Sequence, residues 1–164
     1  MAKINKIGKI NKIVVNIGLG RLSKEAGFED KILPSIFSEL ALITGQKPES
    51  RPTKRAIAGF KSRLGQIVGA RVTIRGKRAH DFLKRVVSVA LPRSRDFRGL
   101  DLSCVGYDGN LNIGIREHLI FPEINPENSK TNFGMQISVV LEERLKREEA
   151  INYFRSLGVP LKIT

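Results

Sequence analysis

The sequence predicts an α+β fold: a mainly antiparallel sheet with helices packed on one face. Three observations carry this reading. Short stretches in which apolar residues alternate recur along the chain, and stretches with apolar residues three and four apart lie between them. Turn residues of the hairpin type, such as Asp108-Gly109, precede some of the alternating stretches.

The elements follow in order. In Lys12 to Ile17, Ile13, Val15 and Ile17 alternate with Val14 and Asn16, a strand that Gly18 and Gly20 end. Ile32, Leu33, Ile36, Phe37, Leu40 and Ile43 have helical spacing up to Gly45, which suits a helix C-terminus; Pro34 must then sit in the opening turn. Ala70, Val72 and Ile74 alternate with Arg71, Thr73 and Arg75, giving a strand with one apolar and one basic face. After Gly76, the set Ala79, Phe82, Leu83, Val86, Val87 and Ala90 predicts a second helix running to Pro92. Leu111, Ile113 and Ile115 mark a further strand, as do Met135, Ile137, Val139 and Leu141. A last helix spans Leu145 to Leu157, closed by Gly158 and Pro160.

Between the first helix and the basic strand, residues 51–69 show no clear period. Arg51-Pro52 and Ala58-Gly59 interrupt any strand, and AGFKSRLGQ mixes glycines with bases. This is read as a long basic loop. Connections of such length in compact domains are usually functional or disordered, so it is a candidate to reach a second nucleic acid; the competing reading is a floppy surface hairpin.

A chain of 164 residues suits one domain over 1–164, and 29 Lys and Arg against 16 Asp and Glu leave a net charge of +13. So large an excess points to a polyanionic partner. It is unevenly placed: from Lys47 to Arg78, ten basic residues face Glu49 alone, and Lys3, Lys6 and Lys9 lie in a basic tail over 1–10.

Several classes drop out. One cysteine, Cys104, and two histidines, His80 and His118, exclude an internal disulfide and leave a Cys/His zinc site without ligands. No apolar run approaches a membrane span, and the start lacks the apolar core of a secretory signal. Gly18-Leu19-Gly20 lacks the third glycine and Lys-Ser/Thr of a phosphate loop. His80 sits on a helix surface beside Asp81, His118 reads as structural, Cys104 as an idle thiol, and Asp96, Asp101 and Asp108 as turn residues. No catalytic residue, metal or cofactor is assigned.

With the apolar residues of the strands turned to the helices, the other face carries Asn16, Arg71, Thr73, Arg75, Asn112, Arg116, Gln136 and Ser138. It is polar and basic and has no aromatic side chain to stack single-stranded bases, so structured double-stranded RNA fits it better. The alternative is an ordinary solvated sheet face.

Four segments in register carry a resemblance: ELALITGQKP (Glu39 to Pro48), AIAGFK (Ala56 to Lys61), VALPRSRDFRGL (Val89 to Leu100) and NIGIREHLIFPEI (Asn112 to Ile124). Together they closely resemble the large-subunit ribosomal protein family numbered five, and the likeness runs from about Ile10 to Pro160. The resemblance implies a ferredoxin-like or RNA-recognition-like α+β fold. It implies binding of 5S rRNA in the central protuberance, with large-subunit rRNA and neighbouring ribosomal proteins as further partners and no membrane. It also implies contact of the long loop with peptidyl-site tRNA.

Carried over by motif, the 5S rRNA set falls on Asn11, Lys12, Asn16, Gln46, Lys47, Thr53, Lys54, Arg71, Thr73 and Arg75. The tRNA-contacting loop falls on Gly59, Phe60, Lys61, Arg63 and Gly65, and other rRNA contacts on Arg93, Arg95 and Arg98. The expected location is the large subunit of the ribosome, in the cytoplasm of a bacterium or an organelle matrix.

The chain departs from the family at two places. Where members carry a helical extension before the first strand, MAKINKIGK stands here; where they tend to read S-F-D-G-R-G-N, this chain has Cys104-Val105-Gly106-Tyr107-Asp108-Gly109-Asn110.

Overall fold

The computed structural model describes residues 10–57, 59 and 62–162. In chain order its regular elements are β1 (Ile10–Gly18), α1 (Leu33–Thr44), β2 (Glu49–Pro52), β3 (Ile67–Arg75), α2 (Lys77–Arg85), β4 (Leu111–Ile115), β5 (Met135–Leu141) and α3 (Arg147–Ser156). The strands form one antiparallel five-stranded sheet in the order β2-β3-β1-β5-β4, and the fold is α+β as its alternating stretches predict.

The chain divides into two compact units, and four of the strands contribute residues to both. In the unit built from Val15–Val72 and Ile115–Met135, α1 buries Leu33, Ile36, Leu40 and Ile43; Val15, Ile17, Phe28, Phe121 and Phe133 are buried as well. The other unit holds Thr73–Gly114, the start of β1 and the chain from Gln136 on. There α2 buries Ala79, Phe82 and Leu83, α3 buries Ala150 and Phe154, and the strands bury Ile13, Ile74, Leu111, Ile113, Ile137 and Val139.

Local chemistry accounts for the element ends. Pro34 lies in the first turn of α1, directly after the wider π turn Phe28–Ile32, so the residue with no N–H to give stands where the helical ladder changes its spacing. Gly45 closes the helix at φ 65°, its N–H donating to the Ala41 carbonyl at 2.7 Å. The second helix is regular only to Arg85. Val86–Ala90 widens into a π turn and Leu91–Arg93 tightens into a 3₁₀ turn. Three β-branched valines, Ser88 Oγ donating to the Lys84 carbonyl at 2.7 Å, and Pro92 with no N–H to give all weaken the regular ladder there.

The stretch 51–69 is shorter as a loop than its composition suggested. Residues 51–52 belong to β2 and residues 67–69 to β3, so the connection is 53–66. β2 is a four-residue edge strand antiparallel to β3, with Pro52 at its end beside a register shift. Pro is tolerated there because an edge strand has one unpaired side. The Asp108-Gly109 pair turns the chain as expected: Gly106 N–H donates to the Asn110 carbonyl at 2.9 Å, and Val105 bridges Leu111.

Gly109 holds φ +76°, and a Cβ there would stand 2.7 Å from the Leu145 carbonyl oxygen. Gly109→Ala is therefore expected to cost about 1–3 kcal/mol from the strained backbone and the clash. Gly114→Ala, in β4 with nothing within 4 Å of the added carbon, is expected to leave stability within about 1 kcal/mol of the parent. Urea unfolding of the two variants measures the difference, and equal losses would contradict this account of the turn.

Candidate nucleic-acid interface

The pleat sorts the side chains of each strand by turns. In β3, Ala70, Val72 and Ile74 are buried, which leaves Arg71, Thr73 and Arg75 on the opposite face. In β1, Ile13, Val15 and Ile17 are buried, leaving Lys12, Val14 and Asn16 opposite. The same alternation puts Gln136, Ser138 and Val140 of β5 and Asn112 of β4 on their strands' less buried sides. Ser138 Oγ donates to Asn112 Oδ1 at 2.7 Å, tying those two strands by their polar side chains. The described residues of this face include no aromatic side chain, and Val14 and Val140 are its half-buried apolar members.

Two residues of this face, Glu49 and Arg51, are not among the candidates the sequence offers for it. The pairing of Glu49 with Arg71 and of Arg51 with Gly69 places Glu49 and Arg51 beside the basic strand. Glu49 contacts both arginines, Arg71 Nη2 at 3.0 Å and Arg51 Nη1 at 3.4 Å. One acid thus offsets part of the charge of β3. Arg75 Nη1 reaches Asn11 Oδ1 only at 3.5 Å, the outer limit of a hydrogen bond, and remains exposed.

The other candidates lie elsewhere. Gln46 and Lys47 follow α1, where the Gln46 carbonyl accepts from Thr44 Oγ1 at 3.1 Å and Lys47 is exposed. Thr53 closes the neck of the 53–66 loop: its N–H and Oγ1 donate to the Gln66 carbonyl at 2.8 and 3.0 Å, and Gly65 N–H donates to its carbonyl at 3.0 Å. Lys54, Gly59, Arg63 and Gly65 are exposed in that loop, whereas Phe60 and Lys61 fall outside the described residues. Arg93, Arg95 and Arg98 are exposed in the turns after α2, off the sheet. Lys3, Lys6 and Lys9 also fall outside the described residues.

Nothing described resembles a reaction centre. Cys104 is half-buried, and burial together with Asp101 pushes its thiol above the usual range, the reverse of an activated nucleophile. Among the described residues no cluster of three His, Cys, Asp or Glu could hold a metal ion, and no helix is long and apolar enough to cross a membrane.

A sheet buried on one side presents cations, amides and hydroxyls on the other, the chemistry of a surface that suits a polyanion. The pattern of ribosomal protein L5 matches residues 4–63, and the pattern of that ribosomal family's C-terminus matches residues 67–161. A protein of Chlorobaculum tepidum named large ribosomal subunit protein uL5 is 46% identical over 159 residues, covering 97% of this chain and 84% of its own. The proteins of the same name from Chlorobium luteolum and Rubrobacter xylanophilus are each 45% identical, covering 97% and 96% of this chain and 79% and 84% of their own. The chain belongs to the ribosomal protein L5 family, whose members are structural, non-enzymatic components of the ribosome.

A buried polar cluster holds the long connection between β4 and β5. His118 is fully buried and stacks on Phe133, ring centroids 3.9 Å apart. Phe133 N–H donates to His118 Nδ1 at 3.4 Å, so Nε2 carries the ring proton and donates to Ser129 Oγ at 3.0 Å. Glu39 Oε2 of α1 also lies 3.0 Å from Nε2 but off its hydrogen-bonding direction, and finds no donor among the described residues. Burial pushes the His118 pKa below its ordinary value, against the opposing pull of Glu39, Asn132 and the Phe133 backbone.

The unfolded chain takes up a proton at this histidine as pH falls through about 6.5, while the folded chain resists it, so stability drops with pH by at most about 1.4 kcal/mol per unit. Melting temperatures between pH 7.5 and 5.5 are expected to fall in the native chain and to fall less in His118→Gln. Parallel curves for the two would contradict the assignment.

Proposed function

We propose that this protein is a structural constituent of the large ribosomal subunit that binds 5S rRNA through the open face of its sheet and contacts peptidyl-site tRNA through its 53–66 loop. The observation that supports it most is the convergence of Lys12, Asn16, Arg71, Thr73 and Arg75 on one face of two adjacent strands, β1 and β3. Lysine and arginine displace counterions from phosphates, and asparagine and threonine fix register on sugar and base edges. With no aromatic on the described face, shape and 2′-hydroxyls are read in place of stacked bases. Large-subunit rRNA at Arg93, Arg95 and Arg98 belongs to the same reading.

The Glu49 contacts rank the substitutions. Arg75→Ala is expected to weaken 5S rRNA binding about tenfold, a loss of the order of one phosphate contact, and Arg71→Ala less, because Glu49 already offsets that charge. Glu49→Gln is expected to tighten binding. With roughly six phosphates neutralised, log K against log salt should slope near about −5. Titration of the full chain with 5S rRNA at several salt concentrations measures all of these; unchanged affinity in both arginine variants would remove the sheet face as the site.

The loop is tested separately. Deleting residues 61–63 is expected to spare 5S rRNA binding while weakening retention of peptidyl-site tRNA on ribosomes carrying the variant. Loss of 5S rRNA binding in that deletion would contradict the division of labour.

A further inference from the structure

Past the end of β1 the chain makes a turn over Gly20 to Lys24, and between this turn and the neck of the 53–66 loop lies a cleft of about 430 Å³. Its wall is mainly apolar and includes Val68, with Arg21, Ser23, Lys24, Thr53 and Gln66 around it. Neither side is loose. Gln66 Nε2 donates to the Ser23 carbonyl at 3.1 Å and to Ser23 Oγ at 3.2 Å, and Gln66 Oε1 accepts from the Arg63 N–H at 3.1 Å. Ser23 Oγ in turn donates to the Gly20 carbonyl at 3.0 Å, and Leu19 N–H to the Val68 carbonyl at 2.8 Å. One glutamine thus spans the two walls and keeps the cleft open without a ligand, which limits the ordering cost of binding.

The lining combines cations and hydrogen-bonding groups with apolar surface, which suits a nucleotide. A volume of about 430 Å³ is in the range of small-ligand pockets, and an apolar wall suits a flat base. Arg21 and Lys24 are exposed at the mouth, and neither forms an ion pair with a described residue; Glu29 is the acid on the neighbouring stretch of the groove. The cleft lies just past the end of β1: Asn16 and Gly18 are exposed on the open face, Gly20 lines the cleft, and the four residues from Asn16 to Gly20 span at most about 14 Å. RNA lying on β1 passes within that distance of it. The geometry points to a pocket for a single unstacked nucleotide of 5S rRNA, its base against the Val68 wall and its phosphate at Arg21 and Lys24. This rests on the 5S rRNA reading above.

Gly20 supplies the test. Gly20 lines the cleft, a Cβ there meets nothing within 4 Å and its φ lies outside the left-handed region, so a side chain is added at the lining without strain. The full chain, Gly20→Leu and Gly20→Glu are titrated with 5S rRNA and with tRNA, and their melting temperatures compared. Complexes are then cross-linked with ultraviolet light, and the joined peptide and nucleotide mapped. The expected result is unchanged melting, about tenfold weaker 5S rRNA binding for Gly20→Leu and more for Gly20→Glu. One nucleotide should cross-link to residues 20–24 or 62–68 in the native chain and not in Gly20→Leu.

Gly20→Leu binding within twofold of native overturns the pocket, as does a loss seen only with Gly20→Glu, which would report charge alone. In either case a weakened Arg75→Ala leaves the sheet-face reading standing. A native chain with no preference for 5S rRNA over tRNA overturns both.

Discussion

The register of β3 against β1 is the constraint on which the rest of this protein depends. Where the two strands run together, Gly69 has no side chain, and a Cβ at that position would stand 2.9 Å from the Ile17 carbonyl oxygen. The close approach fixes which residues share a face: Ile13, Val15 and Ile17 go inward with Ala70, Val72 and Ile74, and Lys12, Asn16, Arg71, Thr73 and Arg75 go outward together. A slip of one residue would bury the arginines and expose the apolar set, at a cost of several kcal/mol for each unpaired charge. The hydrophobic effect that folds the chain therefore also assembles its cationic face.

The face is moderated from within. Glu49 lies between Arg51 and Arg71 and holds both side chains in place, at the cost of part of their charge. A surface ion pair of this kind is worth about 0–1 kcal/mol to the fold, so its larger effect is on how strongly the strand attracts an anion. Arg75, whose side chain meets only Asn11 among the described residues and at long range, has no acid beside it there to offset its charge at the strand end. Two arginines with the same place in a sequence pattern thus differ in what they offer a phosphate.

How much of this was legible in the sequence follows from the range of the forces involved. Alternation in β3, β4 and β5 and helical spacing in α1 are local and could be read directly, as could the turn at Asp108-Gly109. β2 could not, because four residues ending in Pro52 carry no period and are held only by pairing with β3. The irregular end of α2 was also missed, since it follows from Ser88 and the valines acting against the ladder. His118 read as structural and is fully buried, but its partners Glu39, Ser129 and Phe133 come together only in the fold. The resemblance carries Thr53 to the 5S rRNA set, and the structure adds that its hydroxyl donates to the Gln66 carbonyl at the loop neck; the motif gave its position and not its surroundings. The cleft beside it depends on Gln66 reaching Ser23, a contact no spacing announces.

The central claim is that RNA lies on the sheet face and not on the helices. Chemical modification of lysine and arginine side chains, mapped by mass spectrometry on the full chain with and without 5S rRNA, addresses it most directly. The account predicts that 5S rRNA shields Lys12 and Arg75 while Lys84 of α2 and Arg155 of α3, both exposed, react as in the free protein. Shielding of Lys84 and Arg155 with Lys12 and Arg75 unchanged would contradict it.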